Sequence, residues 1–436
     1  MSGASLTHAQ PLYAPFQAGL TDWPTSIYIH VPFCQSRCIY CDFYVVLAKY
    51  GGQEAFVNAL CQEMTQRFGP PRHTPITLKS LYVGGGTPSL LTPKHYQKIL
   101  DHLSAWYGID SQTEVTLEAN PSSGPEAEYF ARRADKNAET SFSHAHDRET
   151  AQSTEAHPEQ LTAWLSEYRR VGFNRLSIGV QSLVDRELQA LSRSHRSATV
   201  ARFVQAAKQA GFANLSLDFM YGIPHQSLES WQQTLTALDA LNVPHISLYG
   251  LHVASRTPLA RLLPTGAYPL PDDETTVAMY HLALETLSCA GFQWYEFSNL
   301  ARPGFASVHN PVYWRCENYW ALGPSAHGYL SPTRYVVAAD LSRYLEDPCG
   351  GDTFEHYSAQ QQLENALIFG LRQAEGVHLP SLEKRFGVDV ARRYGSAMQT
   401  YLDAGWLLFE QDRWRITPAG ISMSNSILAE FIELEP

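Results

Sequence analysis

The chain has 436 residues, of which 44% are hydrophobic and only 17% charged. At roughly 100–200 residues per domain, this predicts two to four domains or one large α/β domain with additions, and it excludes wholesale disorder, which needs a charge-rich, apolar-poor chain. With 32 Lys+Arg against 43 Asp+Glu the net charge is −11, so bulk charge draws the chain neither to nucleic acid nor to an anionic membrane.

No apolar run reaches the ~18 residues of a transmembrane helix, so any membrane contact is expected to be peripheral. The first basic residue is Arg37. No cationic leader is therefore expected, and the expected compartment is the reducing cytoplasm. The 7 cysteines are odd in number and uneven in spacing, a poor disulfide framework.

Residues 1–20 read as an N-terminal extension. Six strand-like runs follow: Ser26–Val31, Lys79–Val83, Glu114–Ala119, Arg175–Gly179, Asn214–Phe219 and His245–Tyr249. Helical periodicity fills the gaps at Gln53–Phe68, Pro93–Trp106, Pro158–Val171, Ala198–Ala210 and Ser227–Leu241. Several of the runs read as buried parallel strands rather than strict alternation. Alternating strand and helix implies right-handed βαβ units. A closed eight-fold barrel takes about 250 residues. Six units predict an open, partial (β/α)6 barrel over residues 21–255, with a doubly wound sheet as the alternative.

From Pro121 to Gln160 there is no Leu, Ile, Val or Met. Such a segment cannot offset about 1–2 kcal/mol per residue of backbone ordering. It is expected to be a mobile insertion, with an accessory helix on the barrel rim as the alternative. Residues 256–350 read as a barrel extension. It holds one more helix at Pro271–Ala290, then an aromatic, Gly- and His-rich stretch at Phe292–Tyr335 that looks more like a site-building segment than a regular element. Residues 355–436 read as a smaller winged-helix-like domain, with three helical stretches before a hairpin at Trp406–Ile416 turning through Gln411-Asp412. Its basic residues are scattered, which favours a protein-contact or lid role over nucleic acid.

The chemistry begins directly after the first strand. IHVPFCQSRCIYCDF carries Cys34, Cys38 and Cys41, spaced C-x3-C-x2-C. A cubane iron–sulfur cluster normally takes four thiolates. Three on one loop leave one iron open to an exogenous amine and carboxylate. The alternative is zinc, which needs a fourth ligand, and His30 is near in sequence. Later strand ends carry Gly84, Gly85, Gly86 and Thr87, then Glu118, Gln181, Arg193 and Asp218. A glycine edge lets backbone approach a ligand where a Cβ would clash, although a tight strand-to-helix turn also explains it.

With these motifs in order, the chain resembles the radical S-adenosylmethionine (SAM) superfamily. Within it, the chain resembles the oxygen-independent coproporphyrinogen III oxidase group, and there its haem chaperone (HemW) subfamily. The finer resemblance rests on Phe43, where the oxidases carry a fourth cysteine, on HNPVYW at His309–Trp314, and on ENALIFGLR near the C-terminus. It implies a [4Fe–4S] cluster on Cys34, Cys38 and Cys41. It implies SAM held by Gly84, Gly85, Gly86, Thr87, Glu118, Gln181, Arg193 and Asp218, with Tyr28 and Tyr40 against the nucleoside. It also implies haem as a bound group and a haem-acceptor protein as partner. His309 is the first candidate for the haem ligand, since neutral imidazole is the commonest proximal ligand. Tyr313 and Trp314 offer flat walls; His327 and Cys316 are further candidates. The implied function is a haem chaperone. An oxidase that decarboxylates propionates is the alternative enzyme, and a zinc-stabilised nucleic-acid-binding module is the alternative outside the family.

Overall fold

The computed structural model describes residues 23–125 and 157–432. The expected extension at 1–20 lies outside the described residues, as does most of the expected 121–160 insertion.

All six expected strands form, within two residues of their expected ends. They are β1 (Ser26–Val31), β2 (Ser80–Gly85), β3 (Glu114–Ala119), β4 (Arg175–Gln181), β5 (Asn214–Tyr221) and β6 (His245–Gly250). Each pairs in parallel with the next. The helices that follow the first five strands are α1 (Gln53–Phe68), α2 (Pro93–Leu103), α3 (Pro158–Val171), α4 (Ser197–Gln209) and α5 (Leu228–Leu241). After β6 comes α6 (Asp273–Cys289). Their starts are chemically marked. Thr92 accepts from the His95 amide with Pro93 at the first turn, Ser227 accepts from the Ser230 amide, and Asp272 from the Thr275 amide. Such caps satisfy orphan donors of the first turn.

Strand order runs from β1 to β6 without reversal. A doubly wound sheet reverses direction at a switch point, so that alternative is excluded and the partial barrel stands. The sheet continues past both ends. An antiparallel hairpin, β7 (Gln293–Glu296) and β8 (Asn299–Ala301), joins the β6 edge. After the one-turn helix α7 (Asn310–Trp314), strand β9 (Trp320–Leu322) lies parallel to β1. A separate antiparallel sheet follows: β10 (His327–Leu330), β11 (Thr333–Val336) and β12 (Thr353–His356). The stretch expected to be irregular thus carries short strands and a one-turn helix between its loops. Strands of three or four residues are too short to show a period, and pairing with distant partners forms them.

The inner chemistry of the barrel also departs from expectation. Along the strands, Ile27, Ile29, Leu81, Val83, Val115, Leu117, Leu176, Ile178, Leu215, Leu217, Ile246 and Leu248 are buried in one apolar core. The residues between them are Ser26, Tyr28, His30, Ser80, Tyr82, Glu114, Thr116, Glu118, Arg175, Ser177, Ser216, Asp218, His245, Ser247 and Tyr249. Alternate residues of a strand face opposite sides. The outer face is therefore greasy and the lumen polar. Both faces are covered, so the runs look continuously buried while their chemistry alternates.

The C-terminal region has its own core, including Leu363, Leu367, Leu371, Met398, Trp414 and Phe431. It comprises α8 (Ala359–Gly370), β13 (Val377–His378), α9 (Leu379–Phe386), α10 (Val390–Asp403), β14 (Leu407–Glu410) and β15 (Arg413–Ile416). Gln411 and Asp412 both take positive φ, 52° and 57°, as a two-residue I′ hairpin turn requires.

Candidate metal and cofactor site

The cysteine loop leaves the C-terminal end of β1. Its base is closed by a short parallel pairing of Phe33–Cys34 with Val46–Leu47. Cys34 is buried, Cys38 and Cys41 are partly buried, and all three thiols are free. The Cys34 sulfur accepts from Thr87 Oγ1 at 3.6 Å, and the Cys38 sulfur from Arg193 Nη1 at 3.5 Å. Burial pushes the Cys34 thiol up to about 11 and raises that of Cys41. Metal ligation must therefore displace protons.

His30 does not join the cysteines. Its Nδ1 hydrogen-bonds the Tyr28 hydroxyl at 3.0 Å, and its Nε2 lies 3.4 Å from the Tyr44 carbonyl oxygen. Among the described residues no three His, Cys, Asp or Glu side chains converge as ligands of a single ion. A zinc ion requires such convergence. A cubane takes one thiolate per iron, so its ligands stand apart. The donor set is three free thiols beside a guanidinium, the ligand chemistry of an iron–sulfur cluster.

The glycine run at the end of β2 is explained by close approach. A Cβ on Gly86 would lie 2.6 Å from the Phe33 carbonyl oxygen and 3.0 Å from the Cys34 sulfur. Gly85 has φ +114°, and a Cβ there would meet the His30 ring at 2.8 Å. The Thr87 amide also donates to the Phe33 carbonyl at 2.7 Å. Glycines therefore let the cysteine loop seat directly on strand β2.

Glu118, at the end of β3, accepts from the Tyr82 hydroxyl at 2.8 Å and from the Gly85 amide at 3.0 Å. Burial pushes its carboxyl up to about 7 against the help of the Tyr82 hydrogen bond. Gln181 ends β4 at φ 69°, after a register shift. Arg193 donates to the Gly179 carbonyl at 2.7 Å, and its Nε is buried without a partner among the described residues. Tyr40 packs against Leu191, Met220 and Ile223. Asp218 sits deeper, accepting from Ser177 at 2.9 Å and Ser216 at 3.2 Å, and burial raises its carboxyl. Tyr28 stacks on Tyr82, with ring centroids 6.1 Å apart. Gly84, Gly85, Glu118 and Gln181 lie at the ends of their strands, whereas Asp218, expected at a strand end, lies within β5 and Tyr28 within β1. Sequence reasoning passed over Tyr82, Ser177 and Ser216. Their signal was the alternation of polar with apolar residues along β2, β4 and β5.

His309 lies apart from the cysteine loop. It is 1% exposed. Its Nδ1 hydrogen-bonds Ser80 at 2.8 Å, and its Nε2 the Tyr313 hydroxyl at 2.7 Å. Its amide donates to Glu114 at 3.1 Å, as do the Val308 amide and the Ser307 hydroxyl. Ser80 and Glu114 begin their strands, so this segment plugs the floor of the barrel, opposite the cysteine loop. Burial holds the imidazole neutral, its pKa lowered to about 3. In this arrangement no ring nitrogen is left for iron. Trp314 turns the other way and donates to Glu296, beside Arg372 of the C-terminal region. Burial pushes the Cys316 thiol up to about 11, as it does that of Cys34. His327 is exposed, and its Nδ1 accepts from Arg334 at 2.7 Å.

An open parallel barrel with a three-cysteine loop after its first strand is the architecture of the radical SAM class. Residues 28–238 match the radical SAM superfamily, and residues 357–423 match the HemN C-terminal domain. The chain belongs to the radical SAM superfamily, in its HemN/HemW-like subfamily. It is 30% identical to the heme chaperone HemW of Mycobacterium tuberculosis, over 96% of this chain and 97% of that protein. It is 34% identical to the mouse mitochondrial protein named radical S-adenosyl methionine domain-containing protein 1, over 92% of this chain and 86% of that one. The solved coproporphyrinogen III oxidase (HemN) of Escherichia coli superposes with a TM-score of 0.74 at 18% identity, over 96% of this chain and 92% of that one. That last likeness shows the fold alone. The sequence similarities favour the chaperone branch over the oxidase branch. No helix among the described residues is long and apolar enough to cross a membrane.

Proposed function

We propose that this chain is a haem chaperone that holds a [4Fe–4S] cluster and SAM at the open end of its barrel, takes haem as cargo and passes it to an acceptor protein. The observation that supports this most is likeness to haem chaperones over nearly the whole chain. Phe43 agrees with it: the residue two beyond Cys41 has a side chain 63% exposed and offers no fourth thiol.

In this reading Cys34, Cys38 and Cys41 each give one thiolate. Arg193 sets a positive charge beside Cys38, and Thr87 donates to Cys34. The Gly84–Gly86 backbone, Glu118, Gln181, Arg193 and Asp218 hold the polar groups of SAM, and Tyr28 and Tyr40 flank its nucleoside. A bound cluster of this kind supplies one-electron chemistry; the protein supplies position and exclusion of water. The division into a barrel (21–255), its extension (256–350) and a C-terminal domain (355–436) belongs to the same proposal, as does a cytoplasmic setting.

The test is anaerobic reconstitution with iron and sulfide, followed by titration with SAM and then with hemin. A cluster spectrum that responds to SAM and a Soret band on hemin addition are expected. Absence of the Soret band overturns the reading. So does robust anaerobic conversion of coproporphyrinogen III to protoporphyrinogen, which would make the chain an oxidase.

A further inference from the structure

A haem carrier needs an atom that takes the iron, flat walls for the ring and cations for the propionates. His309 offers none of these to a ligand, because both ring nitrogens are bonded and the residue is closed into the barrel floor. The outer face of the β10–β11–β12 sheet offers all three.

His327 and Tyr329 are two apart on β10 and share a face. Their partners on β11 are Val336 and Arg334. All four are exposed or partly exposed, while Leu330, Thr333 and Tyr335 on the opposite face are buried. The patch therefore looks outward. Tyr319 is bridged to Tyr329 through the backbone but turns its ring edge-on against Tyr313 at 4.8 Å, whereas the Tyr357 ring lies 6.3 Å from the Tyr329 ring. Arg385 of the C-terminal region lies within electrostatic reach of Tyr329 and Cys316. Glu355 opposes Arg334 across the sheet, but the Tyr357 hydroxyl donates to it at 3.2 Å. The face also adjoins the cysteine end of the barrel, since His327 acts electrostatically on His30.

We infer that His327, rather than His309, is the iron ligand for haem, with Tyr329 and Tyr357 as walls and Arg334 as the propionate contact. The inference rests on the haem-chaperone reading and names the cargo site within it. The chemistry is complementary. A neutral imidazole suits haem iron, aromatic faces suit a porphyrin, and a guanidinium pairs with a carboxylate in two-point geometry. In a chain of net charge −11, such a dianionic ligand needs local cations.

Arg334 also couples the two halves of the site. It donates to His327 Nδ1, so the ring proton sits on Nε2, and an Nε2 that carries the proton cannot bind iron. A propionate that draws Arg334 away lets the proton shift to Nδ1 and frees the Nε2 lone pair. The proton stays on the ring, so charge balances without an outside acceptor.

The test uses full-length, cluster-loaded protein with His327→Ala, His309→Gln and Arg334→Gln, titrated with hemin, with hemin dimethyl ester and with iron-free protoporphyrin IX. His327→Ala is expected to lose the histidine-ligated Soret and spin-resonance signature and to weaken hemin on the order of tenfold or more. It should not weaken iron-free protoporphyrin, since that ligand needs only the walls and cations. Arg334→Gln should weaken hemin but not its dimethyl ester. His309→Gln, which can keep hydrogen bonds to Ser80 and Tyr313, should keep the wild-type signature. If His327→Ala keeps that signature, or His309→Gln alone loses it, the inference is overturned while the chaperone reading stands. If wild-type protein takes up no hemin, the chaperone reading fails and the inference falls with it.

Discussion

At the floor of the barrel, Ser80 and Glu114 open their strands and meet Ser307, Val308 and His309 in a closed network, with Tyr313 on the far ring nitrogen. At the other end the same strands finish in Gly84–Gly86 and Glu118, facing three free thiols and an arginine with an unpaired Nε. The first end is polar and bonded mostly to itself, with the buried Arg175 Nε 3.9 Å from Glu114 as its unbonded donor among the described residues. The other is polar and leaves valences unfilled. Buried polar groups are nearly always paired, and the exceptions mark strain, function or a missing ligand. The comparison teaches that polarity inside a barrel does not by itself locate a site; the three free thiols set the two ends apart.

The comparison can be broken most decisively at the open end. Cys34→Ala is expected to abolish cluster uptake, with iron and sulfide falling to background on anaerobic reconstitution, while circular dichroism stays near wild type. The floor should respond in the opposite way. His309→Ala removes a partner from Tyr313 and one of two from Ser80, which still donates to Ser26, and is expected to cost about 1–3 kcal/mol in denaturant unfolding, while the cluster still assembles in the protein that remains folded. His309→Gln should recover part of that loss. If His309→Ala proves neutral to stability, the floor is not the closed network described.

A subtler effect concerns Glu118, whose carboxyl burial lifts to about 7. Below that pH it is mostly protonated and cannot pair with a cationic ammonium. SAM affinity measured calorimetrically is expected to fall as pH drops below 7, by up to about tenfold per pH unit. Glu118→Gln should flatten the profile. The sign for folding is the reverse. The unfolded carboxyl ionises first, so this group's contribution to stability is full in acid and is lost as pH rises through about 7. The smallest effect is expected at Phe43, whose ring faces solvent. Phe43→Ser should change stability by no more than about 0.5 kcal/mol, which a denaturant melt would check.

Much of this architecture was legible in the chain itself. The six barrel strands carry β-branched or aromatic runs, and the helices between them start at Pro93, Pro158 and after Ser227, where local chemistry marks a first turn. The C-x3-C-x2-C loop was equally plain, because its function depends on neighbours in sequence. Strands β7, β8 and β9 were not legible. They are three or four residues long and exist by pairing with β6 and β1. The role of His309 was hidden for the same reason. Its partner Ser80 is 229 residues away, and an imidazole among aromatics reads alike as ligand or as packing.

Strand order chose the open barrel over a doubly wound sheet, while the sequence by itself determined the alternation of strand and helix, the cysteine loop and the membership of the family. These follow from short-range periodicity and motif spacing, which are local quantities. Only the tertiary structure decided which polar residues are spent on one another and which still have bonding capacity to offer. It closed His309 into the floor, left His327 on an open face, and showed that the glycine run seats the cysteine loop. Those distinctions depend on which side chains long-range strand pairing brings within 3 Å of each other, and burial then makes each unmet hydrogen bond costly enough to matter.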